Sequence, residues 1–138
     1  MTDARLTVLC AAADPVERQR LGDALDRVGG DACAVEAFAD GAALRARAAE
    51  LARRGTPVPV VFVDEDLADG LVADALIAFA TESPGRVTRT VLLGGGDQEH
   101  PARAVRAGAL DSVVPKPWTD ASLEATLDAH VTRFYLAE

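Results

Sequence analysis

Five short runs of β-branched and apolar residues recur along the chain, and each is followed by a longer segment whose apolar residues fall three and four apart. The runs are LTVLCAA (6–12), ACAVEAF (32–38), PVVFVD (59–64), RTVLLGG (89–95) and DSVVP (111–115). The intervening segments are PVERQRLGDALDRVG (15–29), DGAALRARAAELARRG (40–55), GLVADALIAFATES (70–83), EHPARAVRAGA (99–109) and TDASLEATLDAHVTRFYLAE (119–138). Alternation of strand and helix patterns argues for consecutive βα units and a parallel sheet. Right-handed crossovers then place helices on both faces, so the expected fold is α/β, an open doubly wound sheet of five parallel strands. Ligand chemistry in such a fold lies beyond the carboxyl ends of the strands.

Local signals fit this division. Asp14 precedes Pro15, a capping carboxylate before a first-turn proline, and Gly29 and Gly30 end the first helix. Asp40 starts the second helix and Gly55 closes it. The third and fourth runs are almost wholly apolar, as central strands covered on both faces should be. Leu21, Leu25 and Val28 form one inward stripe, and Leu44, Ala48 and Leu51 another. With 138 residues, no repeat and no low-complexity linker, the expectation is a single domain spanning 1–138. A helix that runs to the last residues leaves room for it to be the N-terminal domain of a longer protein. GTPVP (55–59) and GGGDQEHP (94–101) read as loops.

Composition narrows the function. A net charge of -8 repels a phosphate backbone, and the arginines are scattered among acids, so nucleic acid is not an expected partner. No apolar run approaches the roughly 18 to 20 residues needed to span a bilayer. No membrane partner follows, and without a cleavable leader the expected location is the cytoplasm. Cys10 and Cys33 lie in apolar runs without C-x-x-C spacing, and are read as buried thiols. His100 and His130 have no cysteine or second histidine at ligand spacing, and are read as surface or helix-face residues. The glycines at 94–96 lack the lysine and hydroxyl of a Walker loop.

At the strand ends the pattern places Asp14 after strand one, Asp64 at the end of strand three, Gly94 after strand four and Lys116 after strand five. Lys116 is the only lysine among fourteen basic residues. Arginine substitutes poorly where a compact ammonium must meet a buried carboxylate. Asp64 and Lys116, read as lying on neighbouring strands, are therefore expected to pair, whether as a structural salt bridge or as part of a functional site.

VFVDEDL (61–67), the G-A-L-D of 108–111, PKPW (115–118) and D-P-x-x-R (14–18) together resemble the receiver domain of two-component response regulators, over about Leu6 to Leu136. The resemblance implies a CheY-like, flavodoxin-like (βα)5 fold with strand order 2-1-3-4-5. It implies Asp64 at the phosphoacceptor position, Lys116 as the phosphoryl-binding lysine, and a cis bond before Pro117. In this family an acidic pair after strand one helps to hold Mg2+, and a strand-four Ser or Thr binds phosphoryl oxygens. Here the acidic pair falls on Ala12 and Ala13, leaving Asp14, a capping residue. The hydroxyl position falls on Gly94, and the strand-five aromatic falls on Ser112 or Val113. Glu65 and Asp66, beside Asp64, are the nearby acids that could lend a carboxylate to a cation.

Phosphoryl transfer depends on positioning and charge neutralisation. The reading is therefore a degenerate, bacterial-type pseudo-receiver: not an enzyme, with no cofactor expected, acting as a protein-interaction module in two-component signalling. The alternative is a working phosphoacceptor, charged on Asp64 by a histidine kinase. Expected partners are a signalling protein such as a histidine kinase or an output domain. A homodimer is the further expectation, through the fourth and fifth helices and fifth strand, a face including Val105, Arg106 and Arg133. Trp118 is read as packing the fifth helix onto the sheet, and KPW as similar to receivers attached to cyclic-dinucleotide phosphodiesterase or other output domains. A third reading is a small-molecule or nucleotide binder using the same crevice.

Overall fold

The computed structural model describes residues 6–56, 58–64, 89–94 and 112–136. Five strands form one sheet: β1 (Leu6–Ala11), β2 (Cys33–Phe38), β3 (Val60–Asp64), β4 (Arg89–Leu93) and β5 (Ser112–Val114). Their order is β2-β1-β3-β4-β5 and every pairing is parallel. Three helices are described: α1 (Pro15–Gly29), α2 (Gly41–Arg53) and α3 (Asp120–Leu136), the last being the fifth helical segment of the sequence. The doubly wound class and the strand order are as expected. The third and fourth helical segments, with His100, Val105 and Arg106, lie outside the described residues. No helix among those described is long and apolar enough to cross a membrane.

Helix starts follow from local chemistry. Asp14 Oδ2 accepts from the Glu17 amide at 3.3 Å and Asp40 Oδ1 from the Ala43 amide at 2.7 Å, each satisfying an N-terminal N–H that the helix cannot. Helix α1 includes Gly29 and is capped by Gly30, whose φ of 56° reverses the chain into a short 3-10 turn, Gly30–Ala32.

Strand alternation splits the core in two. Leu9, Ala11, Val61, Val63 and Leu92 face α2 and bury Leu44, Ala48 and Leu51. On the opposite face Val8, Cys10, Val60, Phe62, Val91 and Leu93 pack on Leu21, Leu25, Leu123 and Leu127 from α1 and α3. Both β1 and β3 are buried throughout, because helices cover them on both sides. Cys10 and Cys33 are free, buried thiols, and burial pushes the Cys10 thiol up to about 12. Trp118 is buried in the α1/α3 layer with Leu123 and Leu127, which is the packing role expected of it. On α3, Leu123, Leu127 and Phe134 are buried and Val131 partly so, while Leu136 is exposed.

His130 corrects an expectation. It is 4% exposed rather than on the surface, and its Nε2 lies 3.0 Å from Ser112 Oγ, tying α3 to β5. Nothing in the spacing of a lone histidine distinguishes a solvated helix face from a buried contact with a strand hydroxyl.

Candidate functional site

The carboxyl ends of β1, β3, β4 and β5 come level through the sheet register. Ala11 pairs with Val63, Asp64 with Leu93, and Leu93 with Val114. One residue past Ala11, the Ala12 amide donates to Phe38 O at 3.1 Å, and one past Leu93, the Gly94 amide donates to Val114 O at 2.9 Å. Among the described residues the crevice is framed by these backbone hydrogen bonds.

Within it, Lys116 Nζ donates to Asp64 Oδ1 at 2.7 Å. The carboxylate is 1% exposed and the lysine side chain 31% exposed. A charge buried to that degree is costly alone, and the short ammonium contact offsets the cost. The two residues are not on neighbouring strands, as had been read, because β4 lies between β3 and β5. Strands spaced about 4.8 Å apart put β3 and β5 roughly 10 Å from one another, so the lysine must reach across the end of β4. The residue at that end is Gly94, which has no side chain to obstruct it. The Lys116–Pro117 bond is cis, as the family resemblance implied.

Position 94 differs from a simple loss of a hydroxyl. Its φ is 129°, a backbone conformation that residues with a Cβ rarely adopt. Glycine and the local chain path belong together here.

On the other side of Asp64, Ala12 is wholly buried and, like Ala13, brings no side-chain oxygen. Asp14 is turned to the start of α1 as its cap. The sequence reading missed the role of Arg18 within D-P-x-x-R: its Nη1 donates to the carbonyls of Ala12 at 3.1 Å and Ala13 at 3.3 Å. A guanidinium thus occupies backbone oxygens at the end of β1, and its charge opposes a divalent cation there. Among the described residues no three His, Cys, Asp or Glu side chains are grouped so as to hold a metal ion. Glu65 and Asp66 lie outside the described residues. The described donor set does not fit the hard, oxygen-rich coordination that Mg2+ demands.

Trp118 carries a second contact that was not foreseen. The Arg20 guanidinium lies 4.9 Å from its ring centroid while also pairing with Glu17 at 2.8 Å. Arg20 and Arg18 leave α1 two residues apart, so one caps the end of β1 and the other covers the turn after Pro117. Ser112 and Val113, either of which could occupy the aromatic position of strand five, are respectively bonded to His130 and 39% exposed.

No family model matches the sequence, and no curated protein matches it. Solved structures do resemble it. A signal receiver domain of an HD domain-containing protein from Pseudomonas fluorescens aligns with a TM-score of 0.76 at 22% identity, over 95% of this chain and 98% of that one. A response regulator receiver domain protein from Clostridium thermocellum gives a TM-score of 0.79 at 18% identity, over 96% and 99%. The Vibrio cholerae chemotaxis protein CheY4 gives 0.74 at 21% identity, over 91% and 98%. At these identities the likeness is one of fold, and the fold is that of CheY-like receiver domains along almost the whole chain.

Proposed function

We propose that this chain is a receiver-type signalling module that acts by binding other proteins, and whose Mg2+-dependent phosphorylation site is impaired. The observation that carries the reading is the strand-end crevice itself. Asp64 is closed by Lys116 at 2.7 Å, while the end of β1 offers Ala12, Ala13 and an arginine bound to their carbonyls. A phosphoryl group carries several negative charges into its acceptor site, and transfer is governed by how well these are neutralised and held in line. Lys116 supplies one such charge. The described residues supply neither the paired carboxylates for a cation nor a hydroxyl at position 94, just past the end of β4. The chain would then signal through which partner it binds, a histidine kinase or an output domain being the classes suited to the fold, rather than through a covalent mark, and it would not be an enzyme. The charge and the absence of a basic stripe favour soluble, cytoplasmic protein partners over nucleic acid.

A second reading has one specific observation in its favour: Asp64 and Lys116 are both present and in contact. An Asp64 oxygen would attack the phosphorus of a donor, forming an acyl phosphate as the donor's own bond to phosphorus breaks, P–N with the imidazole leaving from a phosphohistidine or P–O with acetate leaving from acetyl phosphate, and Lys116 moving from the carboxylate to a phosphoryl oxygen. Titration with Mg2+, followed by the amide resonances of Ala12, Asp64 and Gly94, separates the two. The module reading expects no saturable shift. A saturable shift at all three, lost in Asp64→Asn, supports the phosphoacceptor and overturns the proposal.

A further inference from the structure

Away from the strand-end crevice, α1 and β2 leave a groove of about 420 Å3 between them. One wall is a stripe of α1 with Arg18, Gly22, Asp23 and Asp26 at three- and four-residue spacing, and the floor is Val35 and Ala37 of β2. We propose that this groove takes an extended, basic segment of a partner protein, which adds to β2 as a sixth strand.

Among the described residues β2 is an edge of the sheet and pairs with β1 alone. Edge strands are commonly blunted by lysine, proline, a bulge or a covering element. This one reads CAVEAF, runs six residues in unbroken register with β1, and has only Cys33 fully buried. Its one charge, Glu36, is on the other face, held by Arg47 of α2 at 2.8 Å. A regular edge of this length, whose one charge is paired on the opposite face, suits main-chain pairing with an extended peptide, and the alternate side chains of such a strand would enter the groove over Val35 and Ala37.

Gly22 opens that space. A Cβ there would meet the Ala37 side chain at 3.8 Å, ordinary contact, so a larger side chain would fill the groove without forcing α1 from the sheet. The charge of the wall selects the occupant. Among the described residues Asp23 and Asp26 form no ion pair; Asp23 accepts only from the Gln19 amide, at 3.0 Å. Arg18 lines one end of the wall with its Nη1 turned to the carbonyls of Ala12 and Ala13, and Arg27 pairs with Asp120 at 3.0 Å, so the two carboxylates outnumber the one cation that lines the groove. Two carboxylates above an apolar floor favour lysine or arginine alternating with apolar residues, and a chain of net charge -8 disfavours pairing with its own copy.

The test uses the whole chain with two probes, ten-residue peptides of alternating lysine and valine or glutamate and valine, followed by amide NMR. The lysine peptide is expected to shift Cys33–Phe38 and slow exchange of their amides, with the glutamate peptide inert. Joint Asp23→Asn and Asp26→Asn substitution should weaken binding about three- to tenfold, and Gly22→Leu should abolish it while circular dichroism stays unchanged. Equal binding of both peptides, no binding, or shifts confined to Asp64 and Gly94 would overturn the proposal. So would a concentration-dependent dimer of the unliganded chain that Gly22→Leu dissolves, since the occupant would then be a second copy. The outcome is independent of whether Asp64 accepts a phosphoryl group.

Discussion

Lys116 and Asp64 stand 52 residues apart in the chain, and their side chains meet at 2.7 Å across the end of the intervening strand β4. The carboxylate is almost fully enclosed and the ammonium keeps some water. Removing the cation therefore harms more than removing the anion, because it strands a buried charge, whereas an amide at position 64 is neutral and the lysine can turn outward. Lys116→Ala should destabilise the chain by about 1–3 kcal/mol and Asp64→Asn by less. In urea unfolding the double variant should be at least as stable as Lys116→Ala alone, because the amide removes the stranded charge. Additive losses would mean that the pair is not energetically coupled.

Placing a hydroxyl at position 94 should not by itself rebuild a receiver switch. At φ 129° Gly94 occupies a conformation that threonine resists, so Gly94→Thr is expected to cost about 1–3 kcal/mol. A melting temperature unchanged in this variant would show that the strand end relaxes freely and that glycine is not required by the backbone.

Gly29 meets a different limit. A Cβ there would lie 2.8 Å from Cys33 Cβ and 3.2 Å from its sulfur; the sulfur can turn away, but the Cβ is fixed to the strand backbone and cannot. Gly29→Ala should lower stability by about 1–3 kcal/mol despite alanine's higher helix propensity. Gly29→Ala combined with Cys33→Gly should recover part of it, and the absence of recovery would place the cost elsewhere.

How much of this was legible in the sequence follows from which interactions leave a periodic trace. The two apolar periods delimited β1, β2, β3, β4, α1 and α2 to within a residue or two, because burial on two sheet faces imposes them directly. Asp64 and Lys116 were legible as strand-end residues, and the lysine stood out against thirteen arginines. Their separation by β4 followed only from the strand order 2-1-3-4-5 that the family resemblance implies, since strand order depends on crossovers that no single run encodes. The roles of Arg18, Arg20 and His130 were hidden. Each acts through a contact with a carbonyl, a ring or a hydroxyl brought near only by folding, and an arginine on a helix looks the same whether it faces solvent or caps a strand end.

The Arg27–Asp120 pair, with Nε to Oδ2 at 3.0 Å, joins α1 to the start of α3 and gives a pH signature. The hydrogen bond from Arg27, and then its charge, hold the Asp120 carboxyl below the usual value of 3.8. A depressed folded-state value means that the contribution is complete above 3.8 and disappears as pH falls through the folded value. NMR titration of Asp120 should give a midpoint below 3.8 that returns to it in Arg27→Ala. Identical midpoints would mean that water screens this exposed pair completely.

The central claim, that the crevice is closed by an ion pair and lacks the means to stabilise a phosphoryl group, is tested most directly by phosphate incorporation. The wild-type chain and Asp64→Asn would be incubated with acetyl phosphate and Mg2+, and intact mass measured over time. The account predicts no stoichiometric adduct in either protein. A stoichiometric phosphate adduct on the wild-type chain, absent from Asp64→Asn, would contradict it.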